Sequence, residues 1–159
     1  MGELRQMPKL MVFAPCEKVI VDSNTGTPSL ISLLNTISTI AKAGVEIPSD
    51  GAVFRTWDTF TLWWPMPEDR DKQIRQITQI ILPDGKVFLA QYNDFVLENR
   101  LHYNVTHWFV FPSLEGVYSI TMWLENPTGD AITEKFVFPV HLTRRWLPVD
   151  PAPSGDEAK

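Results

Sequence analysis

The chain has 159 residues, one cysteine, three histidines and a formal net charge of −5. A chain of that length matches one domain and can bury roughly 70% of the surface its unfolded form exposes, so neither disulfides nor a structural metal are needed to hold a core. Its positive charges are scattered apart from Arg144-Arg145 near the C-terminus, which argues against a nucleic-acid partner, because phosphate binding depends on clustered Lys and Arg.

Residues 1–8 carry no periodicity and end at Pro8, which predicts a flexible leader. The opening does not read as an export signal: the apolar run Leu10 to Ala14 is five residues long, and Pro15 stands where a small residue would precede a lipidated cysteine. Cys16 has no internal partner, and no stretch approaches the roughly 20 apolar residues of a membrane span. A cytoplasmic protein without membrane contact is expected. Leu10–Phe13 and Val19–Val21 are short strand candidates separated by Pro15, whose missing donor implies an edge strand or a kink. Asp22-Ser23-Asn24-Thr25-Gly26 reads as a hairpin turn leading into Ser29–Leu34. Residues 35–43 fit strand, helical turn or loop, and they end at Gly44 and Pro48.

Val53–Trp64 is rich in β-branched and aromatic residues, and the shared parity of Phe54, Phe60, Leu62 and Trp64 marks them as its core face. Pro65-Met66-Pro67 ends it. Within 69–82, Ile74, Ile77 and Ile81 fit helical spacing, whereas Ile74, Gln76, Thr78, Ile80 and Leu82 fit a strand. The turn Pro83-Asp84-Gly85, joining directly to Val87–Leu89, decides for strand. From Leu101 to Val140 three apolar and polar alternations follow. Leu101, Tyr103, Val105, His107, Phe109 and Phe111 oppose His102, Asn104, Thr106 and Trp108. Tyr118, Ile120, Met122 and Leu124 oppose Ser119, Thr121 and Trp123. Ile132, Glu134, Phe136, Phe138 and Val140 follow the turn Asn126–Asp130. The tail from residue 148 is Pro-rich and nearly free of apolar residues, so it cannot offset the entropy of ordering itself.

About eight short strands with little helix predict an all-β fold, an antiparallel β-sandwich of immunoglobulin-like or jelly-roll-like type. The expected organisation is a leader over 1–8, one domain over 9–147 and a disordered acidic tail over 148–159. The run Pro8-Lys9-Leu10 through Cys16–Asp22, with Gly26 and Ser29–Asn35, resembles the opening of a bacterial family of unknown function, domain-of-unknown-function family 6941. The Leu82–Gly85 hairpin and Phe111–Tyr118, with its Gly-x-Tyr strand entry, are similar to that family as well. The resemblance spans most of residues 8–140, implies a small soluble β-sandwich and supplies no catalytic residue. The tryptophan-rich segment Trp57–Trp64 departs from the family pattern.

Motifs for chemistry are sparse. His102 and His107 are five apart and face opposite sides of one strand, and His141 lies on another, so no metal site is expected. His107 reads as a core histidine bonded to backbone. Cys16 reads as a small buried hydrophobe with no neighbour that would lower its pKa. Asp22-x-Asn24-x-Gly26 is similar to the start of a calcium loop but has Leu33 where a bidentate Glu is needed, and a hairpin turn explains it. Neither a Gly-x-Ser-x-Gly elbow nor a Gly-rich phosphate loop is present. No cofactor is implied.

The aromatic residues carry the functional expectation. Trp57 and Trp63 oppose the assigned core parity, and Trp108 and Trp123 lie on the polar faces of their strands, so all four are read as outward. Indoles bring large area at low rotamer entropy and are enriched in interface cores. The leading expectation is a non-catalytic module that associates with a protein partner or with itself through Trp57, Trp63, Trp108 and Trp123. A glycan-binding platform is the alternative, an enzyme comes third, and two structural readings compete: indoles covered by residues 35–50, or an inverted parity.

Overall fold

The computed structural model describes residues 7–98 and 100–148. The predicted leader and tail lie outside the described residues except for Met7, Pro8 and Pro148, which have no regular secondary structure. The described chain forms nine strands: β1 (Lys9–Val21), β2 (Pro28–Leu33), β3 (Thr36–Lys42), β4 (Ala52–Trp64), β5 (Gln73–Ile81), β6 (Val87–Val96), β7 (His102–Pro112), β8 (Gly116–Glu125) and β9 (Phe136–Leu147), with a short 3-10 turn at Pro67–Asp69. They build a four-stranded sheet, β2-β1-β4-β7, and a five-stranded sheet, β3-β9-β8-β5-β6.

Pro15 does not interrupt β1. Its carbonyl accepts the Leu34 N–H at 2.9 Å, so its donorless nitrogen faces the β2 side just beyond Leu33, where the ladder to β2 has ended. The β1–β2 hairpin turns as expected, with Asp22 Oδ1 accepting the N–H groups of Asn24 and Thr25, both at 2.8 Å. Residues 36–42, left open by the sequence, are a strand that pairs parallel with β9, from Thr36↔His141 to Lys42↔Leu147. This pair departs from the antiparallel expectation. The strand reading of 73–81 holds, and its hairpin to β6 closes with the Leu82 N–H on the Lys86 carbonyl at 2.8 Å and Gly85 at φ +86°. Ile132 and Glu134 lie outside β9, because Ile132 donates instead to the Leu124 carbonyl at 2.8 Å.

The two sheets face each other across two apolar clusters. One joins Trp57, Trp108 and Phe111 of the four-stranded sheet to Ile80, Tyr118, Ile120, Val140 and Leu142 of the other. The second gathers Trp63, Ile74, Leu97, Met122, Leu124 and Ile132. Between them runs a buried polar seam, since Thr59 and Thr61 separate Trp57 from Trp63 on β4, and Gln76 and Thr78 separate Ile74 from Ile80 on β5. Gln76 Oε1 accepts from Thr61 Oγ1 at 2.8 Å, Trp63 Nε1 at 3.0 Å and Asn104 Nδ2 at 3.2 Å. Trp108 Nε1 donates to Thr59 Oγ1 at 3.2 Å. Polar groups can occupy this interior because each finds a partner there. Along one side, β6 and β7 meet through side chains, with Asn93 Nδ2 on Thr106 Oγ1 at 2.7 Å and Phe95 stacked on His102 at 4.4 Å.

The seam explains why two assigned faces are inverted. On β4 the inward residues are Trp57, Thr59, Thr61 and Trp63, so Phe60, Leu62 and Trp64 point away from the opposite sheet. Phe54 lies beyond a bulge that shifts the register between Phe54 and Trp57. Cross-strand pairing carries the same inversion to β7, where His102, Asn104, Thr106 and Trp108 face inward and Tyr103, Val105 and His107 outward. On β8 the expected face is the observed one: Tyr118, Ile120, Met122 and Leu124 are fully buried. Among the described residues no helix is long and apolar enough to cross a membrane.

Candidate functional site

The four tryptophans assigned to an outward platform are not one. Trp57, Trp63 and Trp108 are 1%, 0% and 1% exposed. Trp57 and Trp108 stack in the core with centroids 5.1 Å apart. Trp123 does lie on an outer face, but Lys135 Nζ sits 4.3 Å over its ring and its Nε1 donates to Glu125 Oε1 at 2.8 Å, leaving it 7% exposed. The inverted parity of β4 and β7 turns Trp57, Trp63 and Trp108 inward, and Ile37, from residues 35–50, joins the cluster that encloses Trp57 and Trp108. The half-exposed tryptophans, Trp64 and Trp146, close β4 and β9 at opposite ends of the molecule, so they make no joint platform either.

The same inversion turns a set of apolar side chains to the outer face, some of them exposed. On the outer side of the four-stranded sheet, β2 presents Ile31 and Leu33, β1 presents Val12, Ala14 and Cys16, β4 presents Phe60 and Leu62, and β7 presents Tyr103, Val105 and Phe109. Phe60 is buried against Tyr103, their rings 5.9 Å apart. Phe54, Phe109 and Leu33 are 94%, 66% and 60% exposed. Phe54 and Phe109 line one shallow depression with Thr56 and the ion pair Arg55–Glu17, whose Nη2 and Oε1 lie 2.9 Å apart.

Beside that depression Cys16, Asp58 and His107 form one cross-strand row over β1, β4 and β7. The β1–β4 pairing ends at Cys16↔Asp58, and the Asp58 carboxylate takes over from the ladder there, Oδ2 accepting the Val19 N–H at 2.7 Å. Its Oδ1 lies 2.7 Å from His107 Nδ1, and this contact orients a ring that is otherwise exposed. His107 is therefore a surface histidine held by a buried carboxylate, not a core histidine bonded to backbone.

The order of the row decides its chemistry. A nucleophilic cysteine needs an imidazole or a cation beside it to favour the thiolate. Here the carboxylate is the neighbour, and burial together with the Asp58 charge pushes the Cys16 thiol up to about 11. The row keeps its thiol protonated and orients an imidazole. Among the described residues no group of three or more His, Cys, Asp and Glu is placed to hold a metal ion. At the calcium-like segment, the two backbone donors on Asp22 hold its carboxyl below the usual range, which is the hairpin turn at work.

The reading of the sequence missed Phe54, Phe109, Leu33 and His107 as surface residues, and Asp58 as the buried carboxylate that holds His107. The available signal was that β4 and β7 carry large apolar residues on both parities, so one apolar set had to face outward whichever face was chosen. In comparisons with known proteins, no family model and no curated protein matches this chain.

Proposed function

We propose that this chain is a non-catalytic association module, a β-sandwich of immunoglobulin-like or jelly-roll-like type, that pairs with a second copy of itself through the outer face of its four-stranded sheet. The observation that carries the reading is the exposure of Phe54 and Phe109, which line one depression on a sheet face where every strand presents apolar side chains. Neighbouring exposed aromatic side chains mark contact sites, and aromatic anchors supply most of their binding energy. The partner is argued from charge: Glu17 and Arg55 place both signs beside the aromatics, so a two-fold contact can set the Arg55 of each copy against the Glu17 of the other. The resemblance to the family of unknown function agrees with a sandwich and adds no role. A buried, unpaired thiol fits a reducing, cytoplasmic setting.

The test is sedimentation velocity over a concentration series, comparing the chain with Phe54→Ser/Phe109→Ser. The unaltered chain should show a concentration-dependent dimer, and the variant should weaken it by about 2 kcal/mol or more while keeping its melting temperature, because neither ring contributes to the core. A monomer at about 100 μM, or a dimer indifferent to the double substitution, overturns the reading.

A further inference from the structure

We propose a second site, independent of that face: the cleft at the end of the molecule where the β3–β4, β5–β6 and β7–β8 connections meet binds a small organic ammonium ion, an apolar or aromatic group carrying a protonated amine. The cleft has a volume of about 770 Å³, within the range of small-molecule sites. Its floor is apolar. Leu82 and Phe88 pack there against the main core cluster, and Tyr118 contributes its ring, its hydroxyl already donating to the Leu114 carbonyl at 2.5 Å.

The connections around the cleft are pinned to one another, so the site is formed without a ligand. Ser113 N–H donates to the Gly51 carbonyl at 3.0 Å, and a Cβ on Gly51 would collide with Ser113 Oγ, which ties the β3–β4 loop to the β7–β8 turn. Gly116, at φ +156°, lies so close to the β5–β6 hairpin that an added Cβ would sit 3.0 Å from Pro83 Cγ. A site with rigid walls loses little free energy to ordering when it binds.

The rim selects charge. Three carboxylates, Asp50, Asp84 and Glu115, line it against one ammonium, Lys86. Lys86 Nζ is paired with Asp84 Oδ2 at 2.9 Å, which neutralises that carboxylate alone. Glu115 accepts only the Arg144 N–H, through Oε1 at 2.7 Å, and Asp50 has no hydrogen-bond or ion-pair partner among the described residues. The Arg144 guanidinium is held by the Ser113 carbonyl and the Trp146 ring, and its charge reaches Tyr118, so two cations stand near three carboxylates. The balance of charge around Phe88 stays negative, with Asp50 and Glu115 free of any side-chain ion pair among the described residues, so an ammonium is favoured there over an anion.

The experiment is an amide-resolved NMR titration of the full chain with phenethylamine and, separately, 3-phenylpropionate. The amine should give saturable shifts at Gly51, Phe88 and Leu114, and the acid should bind at least about tenfold more weakly. Asp50→Asn/Glu115→Gln should lower amine affinity about fivefold or more with the spectrum otherwise preserved, since Gln keeps the oxygen that accepts from Arg144. Val87→Arg, at a half-exposed rim position, should abolish binding by placing a cation in the cleft. Equal binding of the two probes, an affinity unchanged in the rim variant, shifts confined to other surfaces, or no saturation by about 10 mM amine would each overturn the proposal. Failure here leaves the dimer measurement untouched, because Phe54 and Phe109 do not line the cleft.

Discussion

Cys16 shows how one side chain takes its character from its neighbours. Its thiol is buried and has the Asp58 carboxylate across the ladder, so the folded state holds its proton more tightly than the unfolded chain does, at about 11 against 9.0. A raised acid pKa stabilises the fold in full below pH 9, and that contribution falls away as the pH climbs through 11. The urea midpoint of the unaltered chain, measured relative to Cys16→Ala, should therefore decline between those values. Subtracting the variant removes the lysines and tyrosines that titrate in the same window. A difference that stays flat with pH would mean that the thiol is no more buried than in the unfolded chain. None of this was legible in the sequence beyond burial itself, because Asp58 and His107 are far from Cys16 along the chain and meet it only through register.

At the scale of the strand, legibility depended on how cleanly polar and apolar residues were sorted. In β8 the inward set is wholly apolar, and alternation named the buried face correctly. In β4 and β7 the inward set mixes indoles with Thr61 and Asn104, which bond to Gln76, Thr59, which accepts from the Trp108 indole, and Thr106, which accepts from Asn93. Hydropathy sends such residues outward, and only the partner strand shows that they are satisfied inside. The two faces of β8 allow a direct test. Ile120→Ala should cost about 2–5 kcal/mol, since the side chain is fully buried between the sheets. Thr121, on the other face, has its hydroxyl oxygen buried without a partner among the described residues, so Thr121→Val should be neutral or stabilising by up to about 1 kcal/mol. Chemical denaturation of the two variants measures both, and a Thr121→Val loss as large as that of Ile120→Ala would require a hydrogen bond at that oxygen.

For the whole molecule, the least legible feature is the one that closes it. Turn chemistry reveals hairpins because both strands lie within a few residues of the turn, and it revealed β1–β2 and β5–β6. No local signal reveals that β3 leaves the four-stranded sheet's hairpin and pairs parallel with a strand whose residues lie 105 positions later. Every β3 residue from Thr36 to Lys42 takes its partner from His141–Leu147, and Ile37 and Leu142 on these strands are both core residues. The C-terminal boundary is therefore sharp. A chain ended after Pro148 retains every described ladder and core contact and should melt within about 2 °C of the full chain. A chain ended after Val140 removes the whole β3 partner together with Leu142, strands a row of backbone donors and acceptors, and opens the core at Ile37. Its losses combine a large core truncation with unpaired buried backbone, each worth several kcal/mol against a total of about 5–15. It should lack a cooperative thermal transition by circular dichroism, and a cooperative transition in that shorter chain would show that β3 is an accessory of the fold and not part of its closure.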